Sequence, residues 1–415
     1  MQKQDVLIIG GGVIGLSAAY ELSSRGVAVT LIDKGDPGYG CSYGNAGWLT
    51  PCFSMPLPMP GMLLKSIGWL MDPDSPLRIK PQPSILLMRW LARFLMSMNQ
   101  KQALRAVSVL TDISKYSLEA YSKLDQKYPG AIGFEQKGLL MVSATDAGFA
   151  AAVQEMDLVA PHGVPGQKMN EDEVKALEPG LRARLRGGVY FPKEAHAEPL
   201  QISRILAEAA IANGAKIISR AEVFAFNTSN GKIDSIRTTR GDMRADQYVL
   251  ATGTWSTNIA RELGLRVPIL GGKGYAITVK SFDKAPTHPI MILERKIAVT
   301  PRKGGVRLAG TLELVDSKDD SITPRRLDGI MRGSQEFMYV PENPEIVEIW
   351  RGLRPCTPDG VPVIGRPKRY SNLVVSAGHQ MLGLQSGMGS GRFVADLVTG
   401  EKSIFDPYPF RADRF

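Results

Sequence analysis

A Gly-x-Gly-x-x-Gly pattern follows directly on a short apolar run near the start of the chain, at Gly10, Gly12 and Gly15. The apolar run 6–9 predicts a buried parallel strand, and Asp33 ends the next apolar run. In such a βαβ unit the first glycine permits a tight turn, the second lets a pyrophosphate approach and the third lets the helix pack on the strand. The helix N-terminus attracts phosphates, and the acid can accept hydrogen bonds from a ribose. We therefore predict a bound dinucleotide; the alternative is a glycine-rich structural turn.

The composition narrows the class of protein. The 415 residues suffice for roughly two or three domains, and 44% hydrophobic with 22% charged residues is typical of a soluble globular protein. The net charge of +9 fits an anionic cofactor, an acidic substrate or an anionic lipid surface. The sequence has no basic stripe interleaved with aromatics, so we expect no nucleic-acid partner.

The spacing of the cysteines and histidines and the distribution of apolar residues argue against a metal site, a signal peptide and a membrane span. The three cysteines and four histidines show neither metal-ligand spacing nor a Cys-x-x-Cys pair, which predicts no metal site and a reducing, cytoplasmic location. The chain enters its first strand without the segments of a signal peptide, and no apolar run reaches the roughly 18 residues that a membrane span needs.

Three more glycine-rich segments lie far from the first along the chain. The loop 38–49 suits close contact with a flat or phosphorylated ligand, although a flexible surface turn is the alternative. A strand runs into Ala251-Thr-Gly253, and another runs into Gly378 before the final helix. The dipole of that helix can stabilise negative charge on a redox ring.

The order of predicted elements indicates an α/β protein in which two domains are interleaved. We predict a Rossmann-like dinucleotide-binding domain from 1–50, 199–264 and 354–415, and an α+β substrate domain on a mostly antiparallel sheet from 51–198 and 265–353. The predicted elements are helices over 16–24, near 61–71, and over 84–98, 102–127, 146–159, 199–213 and 325–339, a strand meander over 216–227, 233–239 and 243–251, a hairpin over 290–309 and a turn-rich loop over 352–360.

The predicted helix 84–98 is unusually apolar. It carries Arg89 and Arg93 four residues apart on one face. The residues leave two interpretations open, a core helix with a solvated edge or a helix that lies on a membrane surface.

Taken together, the glycine sites resemble the D-amino-acid oxidase-like family of FAD-dependent flavoproteins, and the resemblance covers nearly the whole chain. It rests on the motifs at 8–15, 42–47, 251–256, 273–275, 352–360 and 378–383, of which 42–47 and 352–360 are the specific ones. The resemblance implies FAD and oxidation of a carbon–nitrogen bond next to a carboxylate. It implies D-amino acids as substrates, 2-oxo acids and ammonia as products, and a quinone or another carrier as electron acceptor. The basic charge balance and the apolar segment 84–98 with its two arginines favour peripheral contact at the inner membrane.

The resemblance also implies the site residues. Arg354 of the Gly-Leu-Arg-Pro motif binds the substrate carboxylate, and a guanidinium offers the matching bidentate fork. Tyr275 donates a hydroxyl to the same carboxylate or closes the pocket, unless it is a core tyrosine, and His379 faces the flavin. The alternatives are a structural ion pair for Arg354 and a packed histidine that donates to backbone for His379. The cofactor contacts are predicted at Gly10, Gly12, Val13, Ile14, Gly15, Asp33, Lys34, Ser42, Asn45, Ala46, Gly47, Trp48, Leu49, Val223, Ala251, Gly253, Trp255, Gly378, His379, Met381, Leu382 and Gly383.

Several alternatives remain at this stage. The substrate could be a cyclic or secondary amine such as cis-4-hydroxy-D-proline, D-proline, sarcosine or glycine. The chain could instead be a non-catalytic flavoprotein subunit of a hetero-oligomer. A nicotinamide dehydrogenase leaves the later glycine sites unexplained. Cys356 stands where sarcosine oxidase-type relatives carry a flavin-linked cysteine, but the following Thr-Pro-Asp-Gly resembles the branch without that link.

Overall fold

The computed structural model describes residues 5–59, 77–79 and 84–415. The strands are β1 (Asp5–Ile9), β2 (Ala28–Ile32), β3 (Trp48–Leu49), β4 (Leu77–Ile79), β5 (Leu139–Ser143), β6 (Gln167–Met169), β7 (Gly187–Phe191), β8 (Ala195–His196), β9 (Lys216–Ile218), β10 (Val223–Ser229), β11 (Lys232–Thr238), β12 (Gly241–Met243), β13 (Gln247–Leu250), β14 (Leu270–Lys280), β15 (Ile290–Ile292), β16 (Ile297–Arg302), β17 (Gly305–Val315), β18 (Ile346–Cys356), β19 (Val363–Gly365) and β20 (Leu373–Ala377). The helices are α1 (Val13–Ser24), α2 (Ile85–Ser97), α3 (Gln100–Lys127), α4 (Asp146–Val159), α5 (Glu171–Leu177), α6 (Pro199–Ala212), α7 (Ser256–Glu262), α8 (Pro324–Phe337) and α9 (Gly387–Thr399).

The first sheet has the strand order β19-β20-β13-β1-β2-β9 and is parallel except for β19 at its edge. Successive side chains of β1 point to opposite faces, as the period of a strand requires. Val6 and Ile8 pack in a core with helices α1, α6 and α9, whereas Leu7 and Ile9 pack against β11. Both faces of the strand are therefore buried, which explains its unbroken apolar sequence.

A second large sheet is mostly antiparallel, with the order β18-β14-β17-β16-β15-β5-β7-β6 and β4 beside β17. Its long central strands β14 and β17 pair with each other, and β18 pairs with the outer side of β14. Helix α8 packs on one face of this sheet through Ile330 and Phe337. The sheet and its neighbour thus have the Rossmann-like and antiparallel architecture that the sequence predicts; the domain boundaries given above stay a prediction.

The structure corrects two of the sequence-based elements. The predicted meander is divided between sheets: β9 and β13 join the parallel sheet, and only β10–β12 form a separate antiparallel sheet. The first five residues of the predicted loop 352–360 instead form the end of strand β18. Their glycine and proline do not interrupt the pairing with β14, because the proline lies near the strand end. The other predicted helices are confirmed with ends that shift by a few residues, and the helix predicted near 61–71 lies outside the described residues.

Candidate active site

A cavity of about 950 Å³ is lined by both large sheets, which places it at the upper end of the size of ligand pockets. One end is formed by the carboxyl ends of the parallel strands, where ligands of such sheets bind. The predicted residues on its wall are Gly10, Gly12, Val13, Ile14, Asp33, Lys34, Ser42, Asn45, Ala46, Trp48, Val223, Ala251, Gly253, Trp255, Tyr275, Arg354, His379, Met381, Leu382 and Gly383.

Four predicted cofactor residues, Gly15, Gly47, Leu49 and Gly378, are not on the cavity wall. Leu49 is buried in the core of the parallel sheet. The three glycines have packing roles, because a Cβ on Gly15 would overlap the carbonyl of Gly10, and Gly47 and Gly378 are left-handed at φ +86° and +85°. These residues shape the site without facing a ligand.

The glycine turn and the acid predicted from the sequence are joined by hydrogen bonds. Asp33 accepts from the backbone N–H of Gly11 at 2.6 Å and from that of Gly35 at 2.7 Å. Gly10 has φ +112°, and a Cβ there would collide with the carbonyl of Ala251, so the two segments meet only because residue 10 is glycine. The carboxylate thus fixes the turn and lies beside the cavity.

The loop 42–47 lies against the beginning of helix α1. Ser42 Oγ accepts from the N–H of Val13 at 3.0 Å, which satisfies one of the free donors at the helix N-terminus. Nearby, the ammonium of Lys34 lies 4.1 Å from the ring centroid of Trp255. A helix N-terminus, a lysine and an aromatic ring therefore share this end of the cavity.

These residues fit FAD. A Cβ on Gly12 would meet only Ser42 Oγ, at 3.4 Å, so the turn is open enough for phosphates to contact backbone N–H groups. Asp33 would receive the ribose hydroxyls, and the segment from His379 to Gln385 lines the cavity where a second ring system would lie. The glycine turn with its backbone N–H groups therefore suits the phosphates of a flavin dinucleotide, Asp33 suits its ribose, and the segment 379–385 suits its flavin ring.

Arg354 on strand β18 is a cationic residue of the cavity wall on the side of the antiparallel sheet. It lies opposite Gly272 of β14, and its side chain crosses β14 above Gly274, where a Cβ would overlap the guanidinium. Nη1 donates to the carbonyl of Thr311 on β17 at 2.5 Å, and among the described residues no carboxylate is paired with the guanidinium. Burial lowers the pKa of Arg354, but an arginine remains protonated at neutral pH.

Trp350 is a cavity residue that sequence analysis missed. It lies four residues before Arg354 and on the same face of β18, because side chains of a strand alternate between its two faces; Gly352 lies between the two. The indole packs against Gly352 and against Gly44 of the loop 42–47, where a side chain on either glycine would overlap it. Had 350–356 been predicted as a strand, its alternation would have placed Trp350 beside Arg354.

Tyr275 does not have the predicted geometry. It is directly opposite Arg351, which places its side chain on the other face of the sheet from Arg354. Its ring packs with Ile330 under helix α8, and its hydroxyl donates to Glu313 at 3.1 Å. Tyr275 is therefore a core tyrosine with a satisfied hydroxyl, and it is also one of the residues that line the cavity.

His379 reaches the cavity from the segment after β20. Its Nε2 lies 2.9 Å from Ser390 Oγ of helix α9. Burial lowers the pKa of His379 to about 3, so the ring is neutral at neutral pH. It is therefore a poor general base at neutral pH, and its contact with Ser390 joins the segment after β20 to the final helix.

The thiol of Cys356 is buried next to Gly272 and Trp90 and does not line the cavity. Burial raises the pKa of this thiol to about 12, so the reactive thiolate is scarce. A covalent link to flavin finds no support in this arrangement.

Helix α2 covers the end of this strand. Trp90 donates from Nε1 to the carbonyl of Cys356 at 3.0 Å, and Leu87 is buried beside it. The opposite side of the helix leaves four apolar side chains in solvent: Ile85, Met88, Leu95 and Met96. The helix therefore has one face in the core and an exposed apolar surface on the other side, and contact of that surface with a membrane stays a prediction.

The described residues contain neither a candidate membrane-spanning helix nor a candidate metal-ion site. No described helix combines the length and hydropathy required to cross a membrane. Within the same ranges, no group of three or more His, Cys, Asp or Glu side chains is arranged to hold a metal ion.

The chain is similar to known proteins over nearly its full length. The family model described as "FAD dependent oxidoreductase" (DAO) matches residues 5–397. A D-amino acid dehydrogenase of Vibrio atlanticus (strain LGP32) is 33% identical over 405 residues, which cover 96% of this chain and 97% of the relative. A D-amino acid dehydrogenase of Granulibacter bethesdensis is 32% identical over 409 residues, 97% of each chain.

Solved structures show the same fold. A glycine oxidase from Bacillus cereus aligns with a TM-score of 0.76 at 23% identity, over 97% of this chain and 96% of that one. An L-proline dehydrogenase from P. horikoshii aligns with a TM-score of 0.81 at 21% identity, over 100% of this chain and 98% of that one. At this level of identity the likeness concerns the fold alone.

Proposed function

The chain belongs to the FAD dependent oxidoreductase family, and on that premise we propose that it oxidises D-amino acids to 2-oxo acids and ammonia. The observation that carries the proposal is the guanidinium of Arg354. It faces a cavity that is continuous with the dinucleotide turn, and among the described residues its hydrogen-bond partner is the backbone carbonyl of Thr311. Its remaining N–H donors suit the carboxylate of an amino acid.

The residues of this chain would act by position and charge. Arg354 binds the carboxylate and thereby fixes the α-carbon relative to the cofactor end of the cavity. When bound, FAD supplies the two-electron acceptor for the hydride that leaves the α-carbon. The amine would react as the neutral base, and burial, which lowers the pKa of His379, makes this histidine a poor acceptor for its proton at neutral pH. Water then hydrolyses the imine to the 2-oxo acid and ammonia.

Bleaching of the bound flavin under anaerobic conditions tests this proposal. We expect D-amino acids to remove the visible absorbance of the purified protein and the matching L-enantiomers to leave it. Bleaching by L-amino acids alone, or by no amino acid, would refute the proposed substrate class. A yellow protein that no amine bleaches would favour the non-catalytic subunit.

A second substrate class shares the same carboxylate anchor. Relatives in fold include an L-proline dehydrogenase and a glycine oxidase, so cyclic and secondary amino acids belong in the same panel. Turnover of D-alanine, D-proline, cis-4-hydroxy-D-proline and sarcosine with an artificial acceptor separates the two classes. Reaction of the secondary amines alone would favour this alternative.

We further propose a quinone as electron acceptor and contact with an anionic membrane surface through helix α2. Its solvent-facing side carries Met88, 71% exposed, and the exposed Arg89 is next to it. The net charge of +9 favours anionic lipids. Replacing Met88 and Met96 by Gln should reduce sedimentation with phosphatidylglycerol vesicles, whereas Ile211→Gln on the exposed side of helix α6 should not. Equal sedimentation of both variants would contradict contact through α2.

A further inference from the structure

The guanidinium of Arg354 is held by a strand irregularity two strands away. Between the pairs Lys273↔Glu313 and Tyr275↔Gly310, two residues of β17 stand opposite the single residue Gly274 of β14. This is a β-bulge, and bulges near functional sites redirect individual groups. Thr311 is the first residue of the bulge, and its carbonyl accepts from Arg354 Nη1.

Thr311 has an unfavourable backbone for its residue type. Its φ is +61°, in the left-handed region where bulges of this kind normally use glycine and where a β-branched residue is an outlier. Its hydroxyl is buried and has no hydrogen-bond partner among the described residues. Neither feature stabilises the fold, and outliers of this sort concentrate at functional sites.

Glycines complete the path from Arg354 to Thr311. The side chain starts on β18, crosses β14 at Gly274 and ends at the Thr311 carbonyl on β17. The Thr311 carbonyl thus holds one N–H of the guanidinium of Arg354, which lies on the cavity wall. A threonine in this conformation is far stiffer than glycine, because β-branching restricts its backbone and side chain.

We propose that Thr311 is a positioning residue, whose left-handed backbone holds Arg354 in the orientation that receives the substrate carboxylate. The proposal rests on the function proposed above, since it assigns Arg354 to the carboxylate. It attributes the effect to the backbone of Thr311 and not to its hydroxyl.

Three variants of the FAD-loaded protein separate these contributions. Thr311→Gly keeps the carbonyl and frees the backbone. Thr311→Val keeps the branched shape and removes the unpaired hydroxyl. Lys284→Gly is the matched control, because Lys284 has a left-handed φ of +56° in the loop after β14 and does not line the cavity.

The measurements are KM and kcat for a D-amino acid and for its carboxamide, and the dissociation constant of pyruvate from the shift it causes in the visible flavin spectrum. For Thr311→Gly we expect KM for the acid and the pyruvate constant to rise about tenfold with kcat nearly unchanged, because the lost contact acts equally in ground and transition states. The carboxamide should be unaffected. Thr311→Val should keep the KM for the acid and the pyruvate constant of the wild type, because the branched side chain still restricts the backbone. Lys284→Gly should keep all the wild-type constants.

Wild-type constants in Thr311→Gly, or an equal defect in Thr311→Val, would overturn the proposal. So would a Thr311→Gly protein that cannot retain FAD, because a position needed only for Arg354 tolerates glycine. If the wild-type protein itself is neither bleached by α-amino acids nor perturbed by pyruvate, it is the proposed function that fails.

Discussion

The guanidinium of Arg354 occupies the space above Gly274 that a side chain on strand β14 would otherwise fill. Gly274 has no left-handed φ, so alanine is compatible with its backbone, and the atoms in conflict are the flexible end of the arginine. The position of the Arg354 guanidinium, which we propose binds the substrate carboxylate, therefore depends on the absence of one methyl group at residue 274.

Gly274→Ala should fold and bind FAD but should raise KM for the amino acid by on the order of tenfold or more, since a displaced guanidinium binds the carboxylate less well. Steady-state kinetics and the visible spectrum check both parts. Gly329→Ala in helix α8 is the control, because a Cβ there meets no atom within 4 Å. Equal KM values for the two variants would show that Arg354 does not need the space above Gly274.

Asp33→Asn should weaken FAD binding. The carboxylate accepts from Gly11 and Gly35 through different oxygens, and an amide supplies only one acceptor and no charge. We expect the dissociation constant of FAD to rise at least about tenfold, measured by quenching of FAD fluorescence on addition to apoprotein. Asp242→Asn, on the exposed strand β12, should bind FAD like wild type; a shared defect would point to general destabilisation.

Glu194 should make stability depend on pH. It is 2% exposed, one oxygen accepts from the N–H of Cys52 at 3.2 Å, and burial raises its pKa to about 8 from 4.5. The folded state thus binds the proton more tightly than the unfolded state, so its stabilising contribution is complete below pH ~4.5 and is lost as pH rises to ~8, by at most about 1.4 kcal/mol per unit.

Denaturant unfolding at several pH values between those limits measures this dependence. Glu194→Gln should flatten it, because glutamine does not titrate. Glu208→Gln, on the exposed side of helix α6, should retain the wild-type slope. If the free energy of unfolding depends on pH with the same slope in all three proteins, Glu194 is not the source of that dependence.

The parts of the fold that follow from local chemistry could be predicted from the sequence. Gly10, Gly15 and Asp33 each have a local steric or hydrogen-bonding reason, and the structure shows the left-handed turn at Gly10, the close packing at Gly15 and the hydrogen bonds of Asp33. The resemblance of the Gly-Leu-Arg-Pro motif also predicted Arg354 as a site residue, and the structure places it on the cavity wall.

What the sequence could not reveal depends on pairing between distant strands. The face on which Tyr275 lies is set by its register with Arg351 and by the bulge opposite Gly274, and neither has a local signal. The role of Thr311 has the same origin. Its residue type argues against a left-handed backbone, which only the surrounding sheet imposes.

The most direct test of the central claim is a titration of the bound flavin with a D-amino acid under anaerobic conditions, in Arg354→Met and Arg351→Met. Arg351 is the matched control, since it lies on the other face of β18 and donates to the carbonyl of Asp320. We predict that Arg354→Met raises the concentration for half-maximal bleaching by about 100-fold, as expected for loss of a buried charge partner, and that Arg351→Met leaves it unchanged. Equal titrations of the two variants would contradict the assignment of Arg354 to the substrate carboxylate.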